Sequence, residues 1–353
     1  MALIQDERRR IEIGKNALDA VRRRYDINKI CVETDALHDS ILLNDNIMEN
    51  DELKSMIFRK PLEQDNPSPT ENNSKITATW DIILRCNYRC PYCFNDGKWE
   101  QLEAHNKPYS QKDWLNFWER IYERYGEIDL FVSGGEPFLY QDFLGLMKKM
   151  VLMHRLHICT NLSTDINKIV NEFVPQRFIL HPSFHPYYAD LEEFIQKIYI
   201  LKQRGWLLES IIVAYPPLLS KLSHFKNRFT EGGVNIYVQP FIGQYQGKQY
   251  PEEYTDSERE LIASFNNLDL INHQLNSINS KGKSCKTGFK YFRVHPDGSI
   301  SRCAGAKNIL GRIEDRNFQL LCQAMPCDQK FCICNNELVY LSDDKKRVNA
   351  QAQ

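Results

Sequence analysis

Three cysteines lie close together in the first half of the chain, at Cys86, Cys90 and Cys93. A loop this short brings three thiolates to one place, and thiolates are the protein ligands of iron–sulfur clusters. Three ligands for a cube of four irons leave one iron without a protein ligand. That iron can bind a small molecule, and the cluster can pass an electron to it.

A structural zinc site is the alternative for these thiols. Structural zinc takes four nitrogen or sulfur ligands, and no pair of histidines or cysteines follows the loop at zinc-finger spacing, since the next cysteine is Cys159. The chain has eleven cysteines, an odd number, and its start is charged where a secretory signal would be apolar. We therefore expect reduced thiols that bind a cluster in the cytoplasm, and no disulfide framework.

The overall charge points to no particular partner. The formal net charge is -1, from 45 Lys and Arg against 46 Asp and Glu. A balance so close to zero gives no general attraction to nucleic acid or to an anionic membrane. No apolar run reaches the roughly 18 residues that a membrane span needs. We therefore expect neither nucleic acid nor a membrane as partner.

Segments typical of strands and helices alternate between residues 75 and 245. The strand segments are 76–84, 129–132, 157–160, 178–181, 210–214 and 235–239, and the helical ones lie near 112–125, 141–154, 165–173, 189–204 and 218–229. Six such units predict an α/β fold in which a parallel sheet curves into a partial (β/α)6 TIM-like barrel. In such barrels the chemistry lies on the loops after the strands, where the cysteine loop falls.

Two further parts flank this predicted barrel. Residues 1–74 carry one apolar stripe with a seven-residue repeat and then a polar, proline-rich stretch, which predicts a helical N-terminal extension and a linker. Residues 246–340 contain an Asp297-Gly298 pair between short strand segments, which predicts a β-hairpin in a small second domain. Residues 341–353 are a C-terminal tail.

The predicted hairpin domain carries its own cysteines. Closure of the hairpin would bring Cys285 and Cys303 together, and a following loop supplies three more candidate metal ligands, Cys327, Cys332 and Cys334. Four thiolates around a hairpin describe either an iron–sulfur cluster or a zinc ribbon. Both alternatives stay open on the spacing alone.

Two segments of the predicted barrel resemble the radical S-adenosylmethionine (SAM) superfamily. One runs from Trp80 to Cys86 and on through Tyr92, Cys93 and Phe94, and the other is Ser133-Gly134-Gly135-Glu136-Pro137, about forty residues after the cysteines. The resemblance implies a 4Fe–4S cluster and SAM as cofactors. It also implies reductive cleavage of SAM to a 5′-deoxyadenosyl radical, with an electron donor such as flavodoxin or ferredoxin.

The resemblance also implies roles for residues around SAM. Tyr92 would border the adenine, and the segment Gly134, Gly135, Glu136 and Pro137 would bind the methionyl amino group. Thr160, Asn161 and Ser183 follow later strands at positions where superfamily members contact SAM. From their positions after predicted strands, His185, Tyr215 and Gln239 are candidates to contact the substrate, with His181 a weaker candidate.

The C-terminal cysteines resemble the start of the SPASM and twitch extensions of radical SAM enzymes. Too few cysteines are present for two further clusters, so the one-cluster twitch form fits better, and such a cluster would take up or relay an electron. The first expectation for the reaction is oxidation of a small polar metabolite, such as a sugar or aminocyclitol. The alternatives are modification of a ribosomally made peptide or protein, and a non-catalytic iron–sulfur or zinc protein.

Overall fold

The computed structural model describes residues 75–95, 99–103, 109–265, 268–276, 279–332 and 340–341. The predicted N-terminal extension, Cys334 and all of the predicted tail except Leu341 lie outside the described residues. Within the described residues, no helix has both the length and the apolar character needed to cross a membrane.

Six parallel strands form the centre of the molecule, as the alternating pattern predicts. They are β1 Thr77–Ile83, β2 Asp129–Gly134, β3 Arg155–Thr160, β4 Phe178–Pro182, β5 Glu209–Ala214 and β6 Asn235–Pro240. The first four pair in sequence order, and β5 pairs with β6. A single parallel bridge between Ser183 and Ile211 joins the two groups. The described strands thus form a partial barrel, and no closure from β6 back to β1 is found among them.

Helices cover the outside of this sheet. They are α1 Trp99–Glu103, α2 Gln111–Tyr125, α3 Phe143–Met150, α4 Ile166–Val170, α5 Leu191–Gln203, α6 Leu222–Glu231, α7 Asp256–Ala263 and α8 Leu268–Leu275. The alternation along β1 explains the packing, because Trp80 lies 5.0 and 5.5 Å from the rings of Trp114 and Trp118 on α2. The side chain of its neighbour Asp81 points to the opposite face of the sheet and lines the inside of the barrel.

The predicted C-terminal hairpin extends the barrel sheet. It consists of β10 Tyr291–Val294 and β11 Ser299–Ser301, followed by β12 Ile309–Arg312. Strand β10 pairs in parallel with β1, so the seven-stranded sheet has the order β12-β11-β10-β1-β2-β3-β4. The remaining short strands form two antiparallel ladders: β7 Gly243–Tyr245 with β8 Lys248–Tyr250, and β9 Ser284–Cys285 with β13 Met325–Pro326. The hairpin therefore shares its sheet with the barrel, and the boundary at residue 246 stays a prediction.

The parallel pairing of β10 with β1 sets where the two cysteine groups lie. We call the edge at the carboxyl ends of β1–β6 the upper edge and the opposite one the lower edge. The loop with Cys86, Cys90 and Cys93 follows β1 at the upper edge. Cys285 precedes β10 and Cys303 follows β11, which places both near the lower edge. A seven-residue strand such as β1 spans about 20 Å between the edges.

Candidate functional site

A cavity of about 980 Å³ runs from the loops of the upper edge into the barrel. All six parallel strands and β10 contribute to its lining. The predicted site residues that line it are Cys86, Cys90, Tyr92, Cys93, Gly134, Gly135, Glu136, Thr160, Asn161, His181, Ser183, His185 and Gln239. Pro137 begins a short 3-10 helix beside it, and Tyr215 packs behind Tyr92, with ring centroids 5.3 Å apart. The roles assigned to these residues stay predictions.

Hydrogen bonds fix the start of the cysteine loop to a helix and stabilise the interior of the loop. The amides of Leu84 and Arg85 donate to one carboxylate oxygen of Glu103 at 2.8 and 2.7 Å, which ties the end of β1 to α1. Within the loop, the Tyr88 amide donates to the sulfur of Cys86 at 3.4 Å. This is the backbone interaction that a thiolate ligand receives in a cluster site.

The thiols of this loop fit a cationic partner. Burial raises the pKa of Cys86, although the Tyr88 amide opposes the effect. Burial also raises the pKa of Cys90 to about 12, against a hydrogen bond from Tyr92. Thiols with such pKa values are protonated at neutral pH unless a cation binds them, and iron ions in a cluster supply that charge. Three cysteines on one loop are the donor set of an iron–sulfur cluster with one iron left open.

The glycine loop lies directly against the end of β1. The Gly135 amide donates to the Ile83 carbonyl at 2.7 Å. A Cβ on Gly134 would lie 2.0 Å from that same carbonyl oxygen, and one on Gly135 would lie 2.1 Å from the Arg85 carbonyl oxygen. The two glycines are thus required by contact between the glycine loop and the cysteine loop.

Glu136 connects three loops of the site. Its carboxylate is buried and accepts hydrogen bonds from the Thr160 hydroxyl at 2.9 Å, the Asn161 amide at 2.8 Å and the Phe138 amide at 3.2 Å. Asn161 in turn donates to the Asn87 side chain at 3.0 Å. Burial raises the pKa of Glu136 to about 7, with the three hydrogen bonds acting in the opposite direction. The carboxylate therefore positions the cysteine loop relative to β2 and β3.

Aromatic rings form one wall of the cavity mouth. The Tyr92 hydroxyl is 3.3 Å from Nδ1 of His185, and the two rings stack. Tyr88, which sequence reasoning did not single out, stacks on Tyr188 with centroids 4.9 Å apart. Burial lowers the pKa of His185 to about 4, so the imidazole is neutral at pH 7. The wall thus joins the cysteine loop to the loop that follows β4.

A charged pair lies inside the barrel that sequence reasoning missed. Arg293 of β10 donates to both carboxylate oxygens of Asp81 on β1, at 2.8 and 3.0 Å, and the Ser133 hydroxyl donates to one of them at 2.7 Å. His295 lines the same cavity. The signal in the sequence was charge at alternate positions of strands whose other residues are apolar, as in Arg293 and His295 around Val294.

Four of the five C-terminal candidate ligands meet in a second, small cavity. Cys285, Cys303, Cys327 and Cys332 line it, and Cys285 is buried against Leu341. Cys322 is exposed and does not line it. Within the described residues, no three His, Cys, Asp or Glu side chains are arranged to hold a single metal ion. The four thiols share one cavity, and a cluster or zinc as its occupant stays a prediction.

A family comparison covers the first of these regions. Residues 80–180 match the model of the family described as Radical SAM superfamily. This span includes the cysteine loop, the glycine loop, Thr160 and Asn161. No curated protein matches the sequence.

Solved structures resemble the fold at low sequence identity. Streptococcus suis SuiB bound to S-adenosylmethionine is 12% identical over 69% of this chain and 64% of that chain, with a TM-score of 0.51. SuiB bound to its precursor peptide SuiA is 13% identical over 84% and 77%, with a TM-score of 0.50. Native anSMEcpe with bound AdoMet and Kp18Cys peptide is 15% identical over 68% and 78%, with a TM-score of 0.50.

These likenesses support the partial-barrel fold. This chain spans 64% of the length of the SAM-bound SuiB structure. The family match contains the cysteine loop and the glycine loop that carried the predicted resemblance. Residues 80–180 therefore carry the pattern of the radical SAM superfamily, whose members use a 4Fe–4S cluster and SAM.

Proposed function

We propose that this protein is a radical SAM enzyme that modifies a side chain of a peptide or protein, with a second iron–sulfur cluster as electron acceptor. The observation that carries the proposal is the cavity of about 980 Å³, which has the three-cysteine loop at its mouth and polar side chains inside. Its size is at the upper end of ligand cavities, as expected for a site that holds SAM together with part of a substrate.

The residues at the upper edge would hold the cofactors. Cys86, Cys90 and Cys93 would ligate three irons, and the amino and carboxylate groups of SAM would complete the fourth. When bound, the cluster and SAM supply a one-electron cleavage that produces a hydrogen-abstracting radical. Glu136 and Asn161 would keep the loops at a fixed distance while the charge of the cluster changes. The aromatic wall around Tyr92 would exclude water from the radical.

Two comparisons support a peptide as the substrate. SuiB in complex with the precursor peptide SuiA resembles 84% of this chain, and anSMEcpe was solved with a Kp18Cys peptide. A peptide needs to place only one side chain in the barrel while the rest stays outside. The Asp81–Arg293 pair would then meet a polar reacting residue.

Oxidation of a small polar metabolite is the second candidate, and it was the first expectation from sequence. The observation in its favour is the convergence of Asp81, Ser133, Arg293 and His295 on the cavity. Several polar groups at fixed positions are what a sugar or aminocyclitol with many hydroxyls requires for orientation.

The lower edge would carry the second cluster. Four protein thiolates leave no iron open for substrate, so the role left for this cluster is electron transfer. A zinc ribbon remains the alternative occupant of the same four thiols. A ligand role for Cys334, an electron donor such as flavodoxin or ferredoxin, and a cytoplasmic location stay predictions.

Deuterium transfer distinguishes the two substrate classes. The anaerobically reconstituted enzyme receives SAM and dithionite with either a perdeuterated peptide pool or a perdeuterated pool of sugars and aminocyclitols. The proposal predicts deuterium in 5′-deoxyadenosine with the peptide pool alone. Deuterium from the sugar pool alone would replace the proposal by the second candidate. Absence of reductant-dependent 5′-deoxyadenosine with every pool and at every SAM concentration would contradict SAM cleavage itself.

A further inference from the structure

Two histidines inside the barrel are joined by a hydrogen bond. Nδ1 of His157 on β3 is 2.9 Å from Nε2 of His181 on β4, and their rings are nearly parallel. Phe131 on β2 stacks on His157, with centroids 4.3 Å apart, and contacts His181 at 5.5 Å. The phenyl ring and the hydrogen bond together fix both imidazoles, which the site described above does not use.

This pair connects the cavity with the lower edge. His181 lines the cavity, and among the described residues its Nδ1 has no hydrogen-bond partner. On the other side, Nε2 of His157 is 3.6 Å from a carboxylate oxygen of Asp129, which Lys75 contacts at 3.1 Å. The Asp129 side chain is 21% exposed and the Lys75 side chain 37%. A row of proton-carrying groups therefore runs from the cavity to the surface, and the separation between His157 and Asp129 is the one step in it longer than a hydrogen bond.

We propose that His181 accepts a proton from the substrate and that His157 and Asp129 pass it to solvent. The proposal rests on the proposed function, because it concerns the step after a hydrogen atom has left a substrate carbon. An oxidised product then requires loss of one proton from a neighbouring O–H, N–H or S–H group and of one electron. The electron pair of the broken bond forms the new bond to the radical carbon.

The atoms and charges of this step balance. The substrate proton goes to Nδ1 of His181, whose Nε2 proton moves to Nδ1 of His157. The Nε2 proton of His157 then moves to Asp129 and on to water. The excess electron goes to a one-electron acceptor of the iron–sulfur class, for which the four cysteines of the lower edge are the proposed site.

The electrostatics of the row suit transfer in this direction. Burial, and then the neighbouring His157, lower the pKa of His181 to about 4, so the imidazole is neutral at pH 7 and able to accept. Burial would raise the pKa of Asp129, but the nearby His157 imidazole and the hydrogen bond from Lys75 lower it overall. Asp129 is thus a carboxylate at the exit. Asp81, Glu209 and Arg293 are the other charged side chains that face the cavity from neighbouring strands.

Proton transfer from the cavity to Asp129 requires one particular tautomer of each histidine. Both His157 and His181 must carry their proton on Nε2, so that His181 donates to His157 and leaves Nδ1 as an acceptor. Selective ¹⁵N-histidine labelling of the full chain, with His157→Gln and His181→Gln used for assignment, reports the tautomers by NMR. A proton on Nδ1 of His157 that is donated to His181 would overturn the proposal, whatever the enzyme activity.

Turnover with the perdeuterated peptide pool gives the second test. His181→Gln and Asp129→Asn should both keep deuterium transfer into 5′-deoxyadenosine, while the amount of oxidised peptide per 5′-deoxyadenosine falls. For His181→Gln the fall should be about 100-fold, which is the usual contribution of a general base. Exogenous imidazole should restore oxidised peptide in His181→Ala. The matched control is His224→Gln on the exposed face of α6, which should behave as wild type.

The outcomes separate the two proposals. Wild-type enzyme that transfers no deuterium contradicts the proposed function and leaves the tautomers as the test of the row. Full deuterium transfer with unchanged oxidised peptide in His181→Gln contradicts the relay alone. Iron content and thermal unfolding of each variant identify any that fail to fold. The folded variants and the histidine tautomers of the wild-type protein then decide.

Discussion

The two cysteine groups of this chain differ in how many thiols they offer and in the space beside them. At the upper edge, three cysteines lie on a loop at the mouth of a cavity of about 980 Å³. At the lower edge, four described cysteines surround a small cavity against Leu341. Three ligands beside an open cavity leave an iron for a cofactor, whereas four ligands in a closed site suit electron transfer. On the proposed function, the arrangement of one sheet separates radical generation from electron uptake.

Loss of a ligand at the upper edge is expected to have the largest effect. In Cys90→Ala, 5′-deoxyadenosine release should fall by at least about 10³-fold, because the cluster is the electron source for SAM cleavage. Iron per reconstituted chain should fall by about four. The control is Cys322→Ala, whose thiol is exposed and outside both cavities. Cleavage of SAM at a wild-type rate by Cys90→Ala would contradict the assignment of SAM cleavage to the cysteines of the upper edge.

Loss of a ligand at the lower edge should separate cleavage from product formation. In Cys303→Ala, 5′-deoxyadenosine release should stay within about threefold of wild type, while oxidised product falls by about 100-fold because the electron has no acceptor. Liquid chromatography with mass detection measures both. Equal loss of the two products would mean that the lower site also serves SAM cleavage. Zinc in place of iron would exclude the electron-transfer role.

The glycines of the two regions should tolerate a methyl group differently. Gly135→Ala should lower the free energy of unfolding by about 3 kcal/mol or more, because the new Cβ meets backbone oxygens at 2.1 and 2.4 Å. Gly305→Ala in the lower cavity should cost under about 1 kcal/mol, since its neighbour at 3.1 Å is the movable Gln329 side chain. Urea unfolding of both variants checks this. Equal costs would mean that the glycine loop is not tightly packed.

The stability of the wild-type protein and of Glu136→Gln should depend differently on pH. Its folded pKa of about 7 lies above the ordinary 4.5, so the folded state holds the proton more tightly. The resulting stabilisation is complete below the ordinary pKa and is lost as the pH rises through 7. Between pH 5 and 7 the metal-free protein should lose about 2 kcal/mol that Glu136→Gln does not lose. Parallel unfolding curves for the two proteins would contradict a buried, protonatable Glu136.

The sequence was most informative where chemistry depends on local spacing. The cysteine loop and the Gly134 to Pro137 segment each lie within a few residues, and their neighbours set the strand ends. The six strands were also predictable, because β-rich apolar segments alternate with amphipathic ones. These features carry the resemblance to the radical SAM superfamily and locate the upper edge without any knowledge of distant contacts.

The interior of the barrel required the structure. Asp81 and Arg293 are 212 residues apart, and they meet because β10 pairs with β1, a long-range choice that no local pattern encodes. The same pairing places Cys285 and Cys303 at the lower edge. Tyr215, a candidate from its position after β5, packs against Tyr92, and its contact with the substrate stays a prediction.

The division between the two groups is tested most directly by electron paramagnetic resonance with and without SAM. Reduced wild-type protein should hold about eight irons, and SAM should change the spectrum of one of two clusters. In Cys90→Ala the remaining signal should be insensitive to SAM, and in Cys303→Ala the remaining signal should respond to it. A SAM-sensitive signal in Cys90→Ala, or an insensitive one in Cys303→Ala, would contradict the assignment of the open cluster to the upper edge.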